Sequence, residues 1–338
     1  MKRLTMLGAG IWLSLFGCSE SAAEMVNGPT AANLSVVTLD HVHQGFGGGL
    51  DTREVSQSFE LPPDLSDYSK ITMRVSQDCP EGGCDPWDRF SQISVIKDGT
   101  AYEIGRVMTP YGVACSWDID VSDYRSVLTG QVDIYSFIDT WVNPGWLTTV
   151  EFIYEAGQPA YDQIEIENIW VDYNVIYGDP ARPPVPPVFT KTMDADIQKM
   201  MVRVVNTGHG QGNFRNAAEF YPVTHHVSVG ENQLDHDLWR DNCEQNTCSP
   251  QNGNWRYPRA GWCPGAEVIP ADFDITTMIG QQSEISLTYQ LADYVNSCRP
   301  DSPDCDGTTC AIGDDCDFNN RGHTEPHYKI AVQLFTYR

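Results

Sequence analysis

Two short cysteine-containing stretches hold the residues best suited to chemistry. One is Cys79-Pro80-Glu81-Gly82-Gly83-Cys84-Asp85-Pro86-Trp87-Asp88-Arg89-Phe90, and the other is Asn254-Trp255-Arg256-Tyr257-Pro258-Arg259-Ala260-Gly261-Trp262-Cys263-Pro264-Gly265. Each sets a Trp near an Arg and a cysteine, and the first adds Asp88 beside Trp87. Trp faces stack on sugar rings, guanidinium forks bind oxygen-rich ligands, and a carboxylate transfers protons. Together they point to a carbohydrate-handling site.

Elements able to position these residues are read as β-strands almost throughout. Residues 163–167 alternate apolar and polar with period two, and 169–175 continue in strand-forming types. Residues 201–205, 226–229, 284–289 and 329–335 read the same way, and no long amphipathic helical stretch interrupts them. Gly, Pro, Asn and Asp punctuate the strands at short intervals, as in sandwiches and jelly rolls. Five prolines in 178–187 make the one linker-like run, because they cannot sit inside a sheet. The expected organisation is a first domain over 34–178, a linker over 179–187 and a second domain over 188–338. A Cys/Asp/Gly-rich insertion spans 298–321.

The chain has 338 residues and a formal charge of −25, which argues against nucleic acid or anionic lipid headgroups as partners. Lys2 and Arg3 precede an apolar run from Leu4 to Phe16, too short for an ordinary membrane span and shaped like a signal peptide. Leu15-Phe16-Gly17-Cys18 resembles a lipobox, which would lipidate Cys18; ordinary cleavage near Ser21-Ala22-Ala23 is the alternative. Residues 1–17 then form the signal peptide and 18–33 a polar tether, giving an exported protein: an outer-membrane lipoprotein, periplasmic or secreted. After Cys18 is set aside, the eleven cysteines leave an even ten, which in an exported chain are read as disulfides and not as zinc ligands. Asp301, Asp304, Asp306, Asp314, Asp315 and Asp317 crowd the insertion, but their spacing does not fit an EF-hand. A disulfide-stapled acidic loop without metal is the expectation there.

These motifs resemble the peptide-N-glycosidase F family, amidases that remove asparagine-linked glycans. Residues 39–50 carry the resemblance, as do 79–89, Tyr102 to Arg106, Thr109-Pro110-Tyr111 and Asp139-Thr140-Trp141. In the second half it runs through Ala218-Glu219, Thr224-His225 and, most specifically, the 254–265 stretch. It implies an all-β fold of two antiparallel jelly-roll domains side by side, with the site at their interface. It also implies cleavage of the amide between Asn and the innermost N-acetylglucosamine of N-glycoproteins or glycopeptides, by a monomer needing no metal or cofactor.

By the same resemblance, Asp88 is the principal catalytic carboxylate and Glu219 the second, placing or activating water. Asp139 is a third, supporting acid, although Asp stands where Glu is expected. Arg89 and Arg259 bind substrate or fix the carboxylates, and Trp87, Trp141 and Trp262 line the sugar. His209 matches a family histidine, but Thr207 replaces the Trp expected two residues earlier. The bridges Cys79–Cys84 and Cys243–Cys263 are implied. The short disulfide expected around Glu219 is missing, with Ala217 and Tyr221 in its place.

Two rivals remain. One is a glycan-binding surface lipoprotein that has lost turnover. The other is a copper monooxygenase built on tandem jelly rolls, with His225-His226 and His41/His43 as ligands. A serine hydrolase is disfavoured by the lack of a Gly-x-Ser-x-Gly elbow.

Overall fold

The computed structural model describes residues 32–280, 282–299, 302, 305, 316 and 324–338. The expected signal peptide, Cys18, nearly all of the tether and most of the acidic insertion lie outside the described residues. Among the described residues the only α-helix is the four-residue Thr276–Ile279, and apart from the short 3-10 turns Ser122–Tyr124, Phe214–Asn216 and Cys243–Gln245 the remainder is antiparallel sheet and loop.

Four sheets form two sandwiches. In the first, Leu34–Val37, Trp146–Ala156, Tyr68–Asp78 and Cys115–Asp120 pair in that order, and Val42–Gln44 also pairs with Trp146–Ala156. The facing sheet runs Glu54–Leu61, Gly130–Ile138, Phe90–Lys97 and Thr100–Met108. Alternating inward residues such as Ile71, Val75 and Phe152 meet Ile93, Val95 and Ile134 from the other sheet, as period-two strands require. In the second sandwich, Ile164–Ile176, His327–Tyr337, Lys199–His209 and Ala271–Asp274 face Phe189–Thr192, Glu284–Leu291, Val223–Val229 and Asn232–Leu238.

Strand Ile164–Ile176 corrects the expected domain boundary. It pairs along most of its length with His327–Tyr337 and so belongs by sheet membership to the second sandwich, upstream of the proline run. The prolines therefore join two strands of the second sandwich, Ile164–Ile176 and Phe189–Thr192, which lie in different sheets. Chain rigidity marks a connector, but it does not tell an interdomain crossing from an intersheet one.

Lys199–His209 is buried on both faces, which suits Met200, Met201, Val202, Val204 and Val205, while Arg203, Asn206 and Thr207 are the polar residues it also buries. Val202 and Val204 enter the second core, while Val205 turns to the interface with Phe90, Met108, Trp262, Val268 and Ala331. The segment 240–268 leaves the second sandwich and lies along the first. Met108 N–H donates to Ala266 O at 3.0 Å, Val268 N–H to Arg106 O at 2.8 Å, and the Trp117 indole to Gly265 O at 3.1 Å. The Cys115–Cys248 disulfide ties the same segment covalently to the first sandwich. Cys79–Cys84 and Cys243–Cys263 are formed as the resemblance implies, and Cys298–Cys316 closes the base of the insertion.

Candidate active site

Asp88 and Glu219 come from different sandwiches and meet through one guanidinium. Arg259 Nε donates to Glu219 Oε1 at 3.0 Å, and Arg259 Nη2 lies 3.6 Å from Asp88 Oδ2. The Arg259 side chain is 2% exposed, whereas those of Asp88 and Glu219 are 15% and 17% exposed. Its other donors hold Tyr257 O, Asn254 O and the Tyr111 hydroxyl, at 3.0, 3.1 and 3.3 Å. The guanidinium also lies over Trp262 at 4.8 Å and Phe220 at 5.3 Å. A planar fork packed and bonded this way leaves both carboxylates a fixed partner and an open face.

Burial dominates the electrostatics. It pushes Glu219 up to about 7, against the opposing pull of Arg259 and with a further push from the Asp88 charge. Asp88 is raised as well, first by burial, while Arg259, a Tyr111 hydrogen bond and Arg89 act the other way. Two acids coupled through one cation titrate as a pair, with the upper step near neutrality.

The loops are set by buried polar residues. Asp85, fully buried, accepts from Trp87 N–H at 3.0 Å, Arg89 Nε at 2.7 Å and Thr140 Oγ1 at 2.6 Å. It thus fixes the Asp88 turn and joins it to the Asp139-to-Trp141 segment. On the other side, Asn213 Nδ2 donates to Ala217 O at 2.6 Å and Thr324 O at 2.7 Å, and Asn296 bonds both Asn213 and Phe214 N–H. This buried amide pair braces the Glu219 loop where the expected short disulfide is missing. Gly253 is required by proximity: a Cβ there would lie 2.4 Å from the Tyr111 ring.

The expected sugar-facing residues divide. Trp87 and Trp141 are 57% and 55% exposed and remain available to a sugar. Trp141 packs edge-on against Phe46, and Arg53 lies 4.5 Å from both rings. Trp262 is a correction: it is 3% exposed, donates its indole N–H to Gly208 O at 2.8 Å and backs Arg259, so it does not form a sugar wall. Arg89 fixes Asp85 and, through it, the Asp88 turn. His209 stacks between Trp262 and His327, bonds Thr207 Oγ1 at 2.8 Å, and is held neutral by burial. Asp139 lies 3.8 Å from Lys329.

Tyr111, His327 and Lys329 were not singled out by sequence reasoning. Tyr111 sits in a quoted stretch, Thr109-Pro110-Tyr111, but carries no charge to mark it. His327 and Lys329 lie two apart on the final strand and reach the site only because that strand pairs with Lys199–His209.

Among the described residues the histidines do not form a copper centre. His225 is fully buried beside Asn206 and Tyr289, whereas its neighbour His226 points to the opposite face and bonds Asp235. Among the described residues no group of three or more His, Cys, Asp or Glu is placed to hold a metal ion.

Tandem β-sandwiches with a composite acid site at their junction define the class: a two-domain jelly-roll protein. A family model described as "Peptide-N-glycosidase F, C terminal" matches residues 180–306. The chain is 30% identical over 296 residues to peptide-N(4)-(N-acetyl-beta-D-glucosaminyl)asparagine amidase F of Elizabethkingia miricola, covering 82% of each protein. The fold matches that of PNGase F, a glycosylasparaginase from Flavobacterium meningosepticum, with a TM-score of 0.78 and 24% identity, over 91% of this chain and 96% of that one. It also matches PNGF-II with a TM-score of 0.66 at 12% identity, over 90% of this chain and 65% of that one. The chain belongs to the peptide-N-glycosidase F family.

Proposed function

We propose that the protein hydrolyses the amide between Asn and the innermost N-acetylglucosamine of N-glycoproteins or glycopeptides. The intact glycan leaves as a glycosylamine, which then loses ammonia, and Asp remains in the peptide. The observation that carries this reading is the Asp88–Arg259–Glu219 bridge across the interface. Amide hydrolysis needs an activated water and a proton for the departing nitrogen, and two acids on opposite sides of one cation can supply both. Glu219, ionised above about pH 7, takes the proton from water. Asp88, beside exposed Trp87, handles the proton at the sugar-side nitrogen. The exposed rings of Trp87 and Trp141 offer faces for sugars, and Asp139 serves as the supporting acid.

The Lys2-to-Cys18 pattern supports export with lipidation at Cys18, and the bridged cysteines suit an oxidising compartment. The test uses the full chain with an N-glycopeptide, read by mass spectrometry. Release of the whole glycan with Asn converted to Asp is the expected result. An N-acetylglucosamine left on the Asn would make the enzyme a glycosidase. Binding without cleavage across several glycan types would favour the lectin-like rival.

A further inference from the structure

Lys329 is a cation that the catalytic reading leaves without a role. It stands on strand His327–Tyr337 of the second sandwich, directly across from Thr207 in the register with Lys199–His209. Its side chain is 12% exposed, and its ammonium reaches over the Phe90 ring at 4.6 Å to donate to Tyr173 O at 3.3 Å. The same ammonium stops 3.8 Å from Asp139 Oδ2, on the first sandwich. That distance is an ion pair across the interface but not a hydrogen bond.

The surroundings leave few ways to explain a buried lysine here. Glu103, the other acid whose charge supports the lysine, is occupied by Arg106 at 2.7 and 2.8 Å and by the Tyr173 hydroxyl at 2.8 Å. His209 and His327 lie nearby, and both are held neutral-leaning by burial. Arg106 itself bonds Thr207 Oγ1 and Lys329 O, so the lysine backbone is pinned. Burial pulls the lysine amine below its ordinary value, and Asp139 is the leading influence holding it up. Asp139 in turn is 32% exposed, adjoins exposed Trp141, and has its backbone N–H bonded to Phe90 O at 2.9 Å, two residues from Asp88. A Trp in place of Thr207 would contend for the space along the Lys329 stem, since directly opposed Cβ atoms in antiparallel strands lie about 4.5–5.5 Å apart. Small Thr207, short Asp139 and long Lys329 therefore fit as one set.

We propose that Lys329 is a positioning residue for the reaction: its ammonium, delivered from the second sandwich, sets where the Asp139 carboxylate meets the substrate. The inference rests on the amidase reading and extends it to a residue acting through another. A full two-by-two cycle tests it, with kcat and KM measured on one N-glycopeptide for the wild type, Lys329→Met, Asp139→Asn and the double variant. Lys329→Met is expected to lower kcat/KM about tenfold, the scale of losing one charge-assisted contact. The double variant is expected to be no worse than Asp139→Asn alone, and Lys329→Arg to recover most of the loss. Thermal melts are run alongside to separate folding from function. Lys329→Met matching the wild type, or losses that multiply in the double variant, would overturn the proposal. So would a loss that follows only the melting temperature. A wild type that never releases glycan removes the amidase reading itself and is seen before any variant is compared.

Discussion

Two buried arginines at the same interface are put to opposite uses. Arg106 grips one carboxylate, Glu103, through two parallel bonds, and both side chains are essentially closed to solvent. Its remaining fork holds Thr207 and Lys329 O, so charge and hydrogen-bonding capacity are matched. Arg259 is stretched between two carboxylates from different sandwiches, one at 3.0 Å and one at 3.6 Å, and each acid keeps an open face. A satisfied pair stabilises one arrangement of the two sandwiches, whereas an under-neutralised pair stays ready to exchange a proton.

The most severe test of that contrast is Asp88→Asn. Removing the carboxylate proposed to transfer the proton is expected to cost about 10³-fold in kcat while leaving the melting temperature unchanged or higher, since a buried charge is lost. Turnover within tenfold of the wild type would remove Asp88 from the chemistry. Arg106→Met is the mirror image. It strands Glu103 as a buried, unpaired acid and is expected to destabilise the fold by roughly 3–5 kcal/mol in urea unfolding. The protein that remains folded should still turn over. Normal stability with lost turnover would make Arg106 part of the chemistry and dissolve the distinction.

Glu219→Gln sharpens the comparison through pH. If ionised Glu219 activates water, wild-type kcat/KM rises as pH climbs through about 7, and the variant should lose that limb along with most activity. Stability follows the same group. A carboxyl raised from 4.5 to about 7 in the folded state favours folding while protonated and loses that contribution as pH rises across this window. The change corresponds to roughly 3 kcal/mol, so the variant should gain on the wild type between pH 4.5 and 7 in thermal melts. Parallel melting curves across that range would show that Glu219 is not buried as an acid.

Much of this arrangement is legible in the sequence because its signals are local. Period-two strands and the two Cys/Trp/Arg stretches are each contained within a few neighbouring residues, whereas Asp88 and Glu219 are marked only by the family resemblance, since a lone acid carries no local signal of its own. What sequence reasoning missed depends on pairing between distant strands. Ile164–Ile176 has the same alternation whichever sandwich it joins, so only its partner His327–Tyr337 places it. Trp262 has the composition of a sugar platform, but the Arg259 guanidinium covers one face and Gly208 takes its N–H. Lys329 is set beside Asp139 only by a register closed between residues more than a hundred apart.

Tyr111 marks the finest grain of the comparison. Its hydroxyl touches both Asp88 and the Arg259 fork, the latter at a long 3.3 Å, and burial together with the Asp88 charge keeps the phenol protonated far above its ordinary range. It is therefore a donor that steadies the Asp88 carboxylate without giving up its own proton. Tyr111→Phe is expected to lower kcat/KM about fivefold, the scale of one ordinary hydrogen bond. Because the lost bond favoured the ionised acid, Asp88 should titrate still higher in the variant. A folded-state value raised further deepens the stability lost with rising pH, so the variant's melting deficit should widen above about pH 4. A deficit that stays constant with pH would place the hydroxyl's contribution in packing and leave the arginines, Arg259 foremost, to neutralise Asp88.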